Sequence, residues 1–217
     1  MRSAGEADGP ASLDRFPFVT SEARARLIRF AGLLARWQAT HNLVSRSGLG
    51  DLWTRHIADS VQLLPLAPSF RSWFDLGSGA GFPGLIIAIL LAHDGNRRFT
   101  LVEANQKKAA FLRAAVRETG AHAEVASERI EQHSILHKRE ADVVSARALA
   151  PFSELAALAF PYLHDRSVFL MPKGQDFERE DREAALHWQY DLSAVPSLTD
   201  PQGRLVTVRH LRPRTGA

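Results

Sequence analysis

A glycine-rich stretch, W-F-D-L-G-S-G-A-G-F-P-G at residues 73–84, contains the first residues whose spacing suggests chemistry. Glycines let a backbone turn approach a ligand closely, because they lack Cβ and tolerate positive φ. From Gly79 the stretch fits the dinucleotide-binding pattern G-x-G-x-x-G, and from Gly77 it fits G-x-G-x-G after an acidic residue. The Gly77 register is favoured, because the strand W-F-D-L then ends at the first glycine. Gly77, Gly79 and Gly81 are therefore candidates for cofactor binding.

Two carboxylates accompany this turn at the ends of predicted strands. Asp75 lies at the carboxyl end of the first strand, where it suits an ammonium group and would repel a pyrophosphate. Glu103 ends the second strand in L-V-E, where a carboxylate can accept hydrogen bonds from two ribose hydroxyls. A nucleoside with a zwitterionic tail and no diphosphate fits both, which favours S-adenosylmethionine. The alternative is that Asp75 only caps the loop and Glu103 only lies on the surface.

The nucleophile that would accept a methyl group is constrained by what the sequence lacks. The chain has no cysteine, which argues against methylation of pyrimidine C5. The segment after the predicted fourth strand reads V-V-S-A-R-A-L-A-P-F and has no N/D-P-P-Y loop of the kind used on exocyclic amines. A ring nitrogen such as guanine N7 has a free lone pair, so transfer needs chiefly in-line geometry and no catalytic base.

Three further polar residues are candidates for catalysis. Arg147, at the end of the fourth strand, suits a phosphate or the O6/N7 edge of guanine, or else an ion pair with a loop carboxylate. Lys173, in M-P-K-G after the fifth strand, is similarly placed. His56 lies four residues before Ser60 on one helix face, which is also the pattern of a core histidine bonded to a serine. No grouping of histidines and carboxylates has metal-ligand spacing, so no metal is expected.

The elements that must position these residues alternate between strands and helices after Phe70, which predicts a doubly wound α/β domain with a mostly parallel seven-stranded sheet. Strands are expected at Ser72–Leu76, Phe99–Glu103, Ala121–Ala126, Val143–Ala146, Ser167–Met171, Gln189–Ala194 and Leu205–Arg209. Helices are expected between them at Pro83–Ala92, Gln106–Thr119, Glu128–His133 and Pro151–Leu163. Before the sheet, apolar spacing predicts a helix from Thr20 and another over Asp51–Leu64. We therefore expect a flexible tail over 1–15, a helical cap over 16–66 and the α/β domain over 67–217.

Composition and charge restrict the class of partner. The chain is 45% hydrophobic and 24% charged, and its longest apolar run is too short for the ~18 residues that span a bilayer. Its N-terminus lacks the apolar region of a signal peptide, so we expect a cytoplasmic protein that binds no membrane. The net charge is only +3, but no acidic residue follows Asp200, while four arginines do: Arg204, Arg209, Arg212 and Arg214. This basic segment suits a polyanion such as nucleic acid, or else only aids solubility.

Several short motifs together resemble a known family, the bacterial small-subunit rRNA guanine-N7 methyltransferases (RsmG, also called glucose-inhibited division protein B). The resemblance covers roughly residues 20–210. Its motifs are N-L-V-S at Asn42–Ser45, R-H-I-A-D-S at Arg55–Ser60, D-L-G-S-G-A-G-F-P-G at Asp75–Gly84, F-L at Phe111–Leu112, S-A-R-A at Ser145–Ala148 and P-K-G at Pro172–Gly174. It implies a class I, Rossmann-like fold and S-adenosylmethionine-dependent methylation of N7 of a guanine in the decoding-region loop of 16S rRNA.

The resemblance also implies roles for individual residues. Cofactor contacts would fall on Gly77, Phe82, Ile130, Glu131 and Arg147. Signature positions facing the active site or RNA would be Asn42, Arg55, His56, Asp59 and Ser60. The second strand ends in L-V-E-A where many relatives have L-L-D-S, which keeps a carboxylate. The segment before Phe16 has no counterpart in the family that we can assign.

An RNA-binding surface is expected from the cations of the cap, the sheet and the tail. These are Arg24, Arg29, Arg36, Arg55, Arg97, Arg98, Lys107, Lys108 and the basic C-terminal segment. The implied partner is 16S rRNA or the small ribosomal subunit, and nothing requires more than a monomer. The alternatives are a methyltransferase for a small molecule, an NAD(P)-dependent oxidoreductase that uses the Gly79 register, and a non-catalytic RNA-binding assembly factor.

Overall fold

The computed structural model describes residues 8–44 and 50–214, and its centre is one seven-stranded sheet. The strands are β1 Ser72–Leu76, β2 Arg98–Val102, β3 Ala123–Ala126, β4 Ala141–Ala146, β5 Leu163–Lys173, β6 Trp188–Pro196 and β7 Arg204–Pro213. Their order is β3-β2-β1-β4-β5-β7-β6, with β7 antiparallel to β5 and β6 and the other pairs parallel. The predicted doubly wound, mostly parallel sheet is therefore confirmed.

Seven helical elements, numbered here in chain order, accompany the sheet within the described ranges. They are α1 Ser21–Gln38, α2 Asp59–Val61, α3 Gly84–Leu90, α4 Gln106–Thr119, α5 Ile130–Leu136, α6 Phe152–Ala159 and α7 Phe177–Ala184. A π-helical segment, Leu52–Ala58, runs directly into α2. Short 3-10 turns lie at Pro10–Leu13, Leu64–Leu66 and Phe160–Tyr162.

Sequence signals explain the best-predicted helices. Helix α4 has the predicted bounds, because the Asn105 side chain accepts hydrogen bonds from the backbone N–H of Lys107 and Lys108 and Gly120 ends the helix at φ 66°. Helix α1 starts where the hydroxyl of Thr20 accepts a hydrogen bond from Ala23 N. Every residue of β1 and α3 is buried, which is typical of a central parallel strand and the helix that covers it.

Three segments differ from the prediction. The helix expected over Asp51–Leu64 is π-helical over half of its length, at Leu52–Ala58, with wider turns than the 3.6-residue spacing assumes. The helix expected to reach Leu163 ends at Ala159, and β5 begins at Leu163 after a 3-10 turn containing Pro161, a residue that cannot continue helical hydrogen bonding. Helix α7 was not predicted, because it consists mostly of charged residues.

The helices before the sheet pack into the same core as the sheet. Leu27, Phe30 and Leu34 of α1 are fully buried and belong to one apolar cluster with Trp73 of β1 and Leu85 of α3. The predicted cap is therefore joined to the sheet by continuous packing. No helix within residues 8–44 and 50–214 is long and apolar enough to cross a membrane.

The N-terminal segment corrects an expectation. We expected residues 1–15 to be flexible, but Pro10–Leu13 forms a 3-10 turn and Leu13 is fully buried. The Asp8 carboxylate accepts hydrogen bonds from the backbone N–H of Trp53 and Thr54, at 2.7 and 3.0 Å. The burial of one leucine and this contact with a distant helix fix residues 8–15, whereas residues 1–7 lie outside the described part.

Candidate active site

A cavity of about 430 Å³ opens at the carboxyl ends of β1, β2 and β4, where ligands bind in doubly wound sheets. Its wall is formed by Leu43, Val44, His56, Gly77, Ser78, Gly79, Ala80, Phe82, Val102, Glu103, Ala104, Lys108, Arg129, Ile130, Glu131, Arg147, Ala148, Leu149 and Leu158. Eight predicted site residues therefore share one wall: His56, Gly77, Gly79, Phe82, Glu103, Ile130, Glu131 and Arg147. The cavity brings the glycine turn and the R-H-I-A-D-S motif together.

Glu103 holds the backbone of the glycine turn in place. Gly77 and Gly79 have φ values of 65° and 57°, which L side chains rarely adopt. Glu103 is buried, and its Oε2 accepts a hydrogen bond from Gly79 N at 2.8 Å while its Oε1 accepts one from Asn105 N at 2.8 Å. Each carboxylate oxygen has a second lone pair, so Glu103 can hold the turn and still accept a ligand hydroxyl.

Gly81 and Asp75 lie outside the cavity wall, which differs from the prediction for both. A Cβ on Gly81 would come within 2.9 Å of Leu85, so this glycine permits close packing in the core. Asp75 points to the α3 side of the sheet, where a Cβ added to Gly84 would lie 2.3 Å from the Cβ of Asp75. Strand alternation explains this placement, because Asp75 shares a face with Trp73 and not with the cavity.

Asp75 takes part in a buried polar chain. Its Oδ1 accepts a hydrogen bond from Ser145 Oγ at 2.5 Å, and Ser145 Oγ in turn accepts one from Trp73 Nε1 at 2.8 Å. Its Oδ2 has no hydrogen-bond partner in the part of the chain that the structure describes. Burial raises the pKa of Asp75 to about 6, against the opposing hydrogen bond from Ser145. Asp75 thus supports the sheet behind the glycine turn.

His56 presents an unsatisfied neutral ring to the cavity. The imidazole lies on the Phe82 ring, with centroids 5.0 Å apart and planes inclined by 25°. Both ring nitrogens are buried and neither has a hydrogen-bond partner among the described residues. Ser60 Oγ donates to the backbone oxygen of His56 at 2.6 Å, so the ring is not bonded to this serine. Burial, with the charges of Arg147 and Arg55, lowers the pKa of His56 to about 4, which keeps it neutral at pH 7.

Arg147 is the second partly unsatisfied group on this wall. Its Nη2 donates a hydrogen bond to the backbone oxygen of Arg55 at 2.7 Å and lies 3.8 Å from Asp59 Oδ2. Its Nη1 is buried without a hydrogen-bond partner within the described ranges. Burial lowers the pKa of Arg147, while Asp59 opposes and Arg55 adds to that shift. The protein thus holds Nη2 of Arg147, and Nη1 remains available to a ligand.

Lys173 does not reach the cavity, which corrects its prediction as a catalytic residue. Its Nζ lies 2.7 Å from Glu180 Oε2 and 3.3 Å from the backbone oxygen of Ala150. Only 9% of its side chain is exposed, and Glu180 also accepts a hydrogen bond from Phe152 N. Lys173 therefore joins β5 to α6 and α7 as a structural ion pair.

Several wall residues were missed by sequence reasoning. Arg129 immediately precedes Ile130, and Lys108, which we expected on the RNA surface, lines the cavity itself. Leu149 follows Ala148, whose φ of 51° turns the chain so that a Cβ on Gly77 would lie 2.8 Å from the leucine. No local pattern distinguishes these residues, because only the meeting of separate loops places them together. Ser45 of the N-L-V-S motif lies outside the described residues.

The predicted basic surface divides between two edges of the sheet. Lys108 lies at the carboxyl edge with the cavity, as does Arg129, which was not predicted, whereas Arg98 is the first residue of β2, at the opposite edge. Strand β7 runs antiparallel to β5, from Arg204 beside Lys173 towards Pro213, so its later arginines also point away from the cavity. Arg24 is paired with Asp14 at 2.6 Å. The positions of the basic residues in the sequence therefore do not identify the edge of the sheet that carries the cavity.

No group of three or more histidine, aspartate or glutamate side chains within residues 8–44 and 50–214 is placed to hold a metal ion.

Comparison with known proteins identifies the family. Residues 23–206 match the family described as rRNA small subunit methyltransferase G. The chain belongs to this family. Proteins named ribosomal RNA small subunit methyltransferase G from Rhodopseudomonas palustris (strain HaA2) and Bartonella tribocorum are 47% and 40% identical to it. These matches cover 88% and 92% of the chain, and 83% and 93% of the two relatives.

Solved structures support the fold assignment of this member of the methyltransferase G family. A variant of MtNAS in complex with S-adenosylmethionine has a TM-score of 0.54 at 16% identity, covering 95% of this chain and 85% of that one. TYW2 of M. jannaschii in complex with AdoMet has a TM-score of 0.52 at 12% identity, covering 75% and 78%. At these identities the likeness concerns the fold, which is that of class I methyltransferases.

Proposed function

We propose that this chain transfers a methyl group from S-adenosylmethionine to N7 of a guanine in the decoding-region loop of 16S rRNA. The observation that carries the proposal is one cavity wall on which the glycine turn meets the unsatisfied nitrogens of His56 and Arg147. The relatives are named as methyltransferases of ribosomal RNA of the small subunit. Within the cell the proposed setting is the cytoplasm, and the proposed active form is a monomer without metal.

The cavity suits a nucleoside cofactor with an amino-acid tail. Glu103, at the end of β2, can accept hydrogen bonds from ribose hydroxyls with the lone pairs that Gly79 and Asn105 leave free. Ile130 and Glu131 provide an apolar and a polar contact beside it, where the adenine would lie. Gly77 and Gly79 leave the turn without side chains, so the backbone can approach the tail. When bound, S-adenosylmethionine supplies a methyl group that is already activated for transfer.

The acceptor base would enter beside the cofactor against Phe82 and His56. The stacked pair gives a flat wall for an unstacked guanine, which an enzyme must take out of its RNA stack before acting on it. His56 is neutral, so it can bind a base edge without placing a cation beside the positive charge of the cofactor. The N7 lone pair attacks the methyl carbon without losing a proton, and the residues of the wall therefore act by orientation.

Arg147 can assist either partner through its unpaired Nη1. The family resemblance favours a cofactor contact. A single donor can also bind guanine O6 and leave N7 open, whereas a bidentate arginine would occupy both atoms. Arg55, Lys108 and Arg129 add positive charge around the opening, which attracts RNA phosphates.

The decisive experiment maps methylation on its substrate. Small ribosomal subunits from a strain lacking N7 methylation are incubated with the protein and S-adenosylmethionine, and 7-methylguanosine is located by chemical cleavage. We expect one cleavage site in the decoding-region loop with the wild-type chain and with Arg98→Ala, and a strong loss with Arg147→Ala. Methyl transfer only to small metabolites, or tight binding of NADH in place of S-adenosylhomocysteine, would contradict the proposal.

A further inference from the structure

The turn between β6 and β7, residues 197–203, reaches from the edge of the sheet to the helix that carries the R-H-I-A-D-S motif. Ser197 Oγ and Thr199 Oγ1 both donate hydrogen bonds to Asp59 Oδ1, at 3.2 and 3.0 Å. Leu198 N donates to the side-chain oxygen of Gln62 at 2.7 Å. These contacts join residues more than 130 positions apart, so they are tertiary contacts and not part of a local turn.

The polarity of this network is fixed by its chemistry. An ionised carboxylate only accepts hydrogen bonds, so both hydroxyls must donate to Asp59. Their lone pairs are then available to Gln62 Nε2, which donates to Ser197 Oγ at 3.2 Å and to Thr199 Oγ1 at 3.0 Å. The amide oxygen of the same Gln62 is left to accept from Leu198 N. Gln62 is only 5% exposed, and every one of its polar groups is used.

The second carboxylate oxygen of Asp59, Oδ2, faces Arg147 of the cavity wall. Asp59 Oδ2 lies 3.8 Å from Arg147 Nη2, and this is the only ion pair of Arg147 within the described ranges. Both side chains are largely buried, at 14% and 17% exposure, so solvent screens the contact weakly. The positive charge of Arg55 disfavours the Arg147 cation, and Asp59 opposes that effect. Arg147 Nη2 also donates to the backbone oxygen of Arg55 at 2.7 Å, so this carboxylate and that oxygen together hold the guanidinium.

We propose that the β6–β7 turn is a positioning element of the active site, in which Ser197 and Thr199 fix Asp59 and Asp59 in turn holds Arg147 against the cavity. The proposal rests on the proposed function, because Arg147 serves a ligand only if the cavity binds one. It assigns a role in methyl transfer to the far edge of the sheet, which contributes no residue to the cavity wall.

The test is a double-mutant cycle between the turn and the arginine. Thr199→Val removes one hydroxyl and keeps the side-chain shape, and Arg147→Ala removes the group on which it should act. We measure the Kd for S-adenosylhomocysteine by calorimetry, and kcat and KM for methylation of small subunits. Arg147→Ala should impair cofactor binding (Kd) or methylation (kcat or KM). In the wild-type background, Thr199→Val should impair the same constant by about 3- to 10-fold, which corresponds to one hydrogen bond. In the Arg147→Ala background it should have no further effect on that constant.

Two controls separate positioning from general stability. Thr199→Ser keeps the hydroxyl and should retain the wild-type constants. Thr207→Val makes the same chemical change on a buried threonine of β7, and it should leave both constants unchanged. The melting temperature of each variant reports folding, and the fall caused by Thr199→Val should persist in the Arg147→Ala background.

Two results would overturn the proposal. Equal effects of Thr199→Val in the two backgrounds, or no effect on any constant in the wild-type background, would refute the role of the turn while leaving methyl transfer intact. Failure of the wild-type chain to bind S-adenosylhomocysteine or to methylate small subunits would instead refute the proposed function, and the role of the turn with it.

Discussion

Two buried titratable residues of the active-site region differ in charge at physiological pH. His56 is neutral because burial and two neighbouring arginines disfavour its cation. The pKa of Asp75 is raised to about 6, because burial disfavours its anion, and one carboxylate oxygen has no partner among the described residues. The structure therefore accepts a buried charge at Asp75 at neutral pH, directly behind the glycine turn.

Replacement of Asp75 should change how stability depends on pH. The folded-state pKa of about 6 exceeds the usual 3.8, so the folded chain binds the proton more tightly than the unfolded chain. The stabilisation from the protonated form is complete below pH 3.8 and is lost as pH rises through 6. Relative to Asp75→Asn, the wild type should lose on the order of 3 kcal/mol of unfolding free energy between pH 3.5 and pH 7.

Urea unfolding at several pH values measures this difference. Asp142→Asn is the control, since the hydrogen bonds from Arg71 and Ser72 outweigh burial and lower the pKa of Asp142, which gives the opposite pH trend. Parallel stability curves for the wild type and Asp75→Asn would show that folding does not raise the pKa of Asp75.

Among the elements, the π-helical segment depends on a residue far away in the chain. Asp8 accepts hydrogen bonds from Trp53 N, Thr54 N and Thr54 Oγ1, so it acts as an N-cap supplied from the N-terminal segment. The same segment is fixed by Arg24, which bonds the backbone oxygen of Pro10 and the Asp14 carboxylate. The helix that carries Arg55, His56 and Asp59 is thereby held at its beginning.

We expect Asp8→Ala to destabilise the folded chain by about 1 kcal/mol, the usual cost of losing an N-cap. The loss of order at the start of the segment should also reach His56, so Asp8→Ala should lower the rate of methylation as well. Arg24→Lys is the control: it should destabilise the chain by a comparable amount and lower the rate of methylation less. Chemical denaturation and single-turnover methylation measure the two effects. An Asp8→Ala variant with wild-type stability would show that the contact with Trp53 and Thr54 contributes nothing to folding.

Sequence patterns predicted the elements whose signals are local. The strand before Gly77, and helix α4 between Asn105 and Gly120, follow from apolar runs and caps that lie beside them in the chain. A helix was predicted over Leu52–Ala58, but its π-helical form was not, because periodicity assumes 3.6 residues per turn. Arg147 follows β4 and Lys173 ends β5, and only tertiary contacts distinguish the residue on the cavity from the one paired with Glu180. The Asp8 cap and the β6–β7 turn depend on distant contacts that no local pattern contains.

At the scale of the whole molecule, positive charge lies on two opposite edges of the sheet, and the glycine turn lies at one of them. Lys108 and Arg129 line the opening, while Arg98 and Arg212 lie at the amino edge of β2 and near the end of β7. RNA bound for reaction at the cavity should contact the first pair and not the second.

Salt dependence of RNA affinity distinguishes the two edges. Each phosphate contact removed should reduce the slope of log affinity against log salt concentration by about 0.7 on single-stranded RNA. We expect this reduction for Lys108→Ala and for Arg129→Ala, and an unchanged slope for the charge-matched controls Arg98→Ala and Arg212→Ala. Fluorescence anisotropy with a decoding-region RNA at several salt concentrations measures it. Equal slopes for all four variants would place the RNA on neither edge specifically.

The apolar cluster that joins α1 to β1 and α3 also determines how this enzyme can fail. Because Phe30, Trp73 and Leu85 are packed together, melting the N-terminal helices would expose the face of the sheet that supports the glycine turn. The chain should therefore unfold in one cooperative transition, without a surviving cofactor-binding half. A lesion in this cluster away from the cavity wall would then lower the amount of active enzyme in the cell, while each molecule that remains folded would keep its full affinity for both substrates.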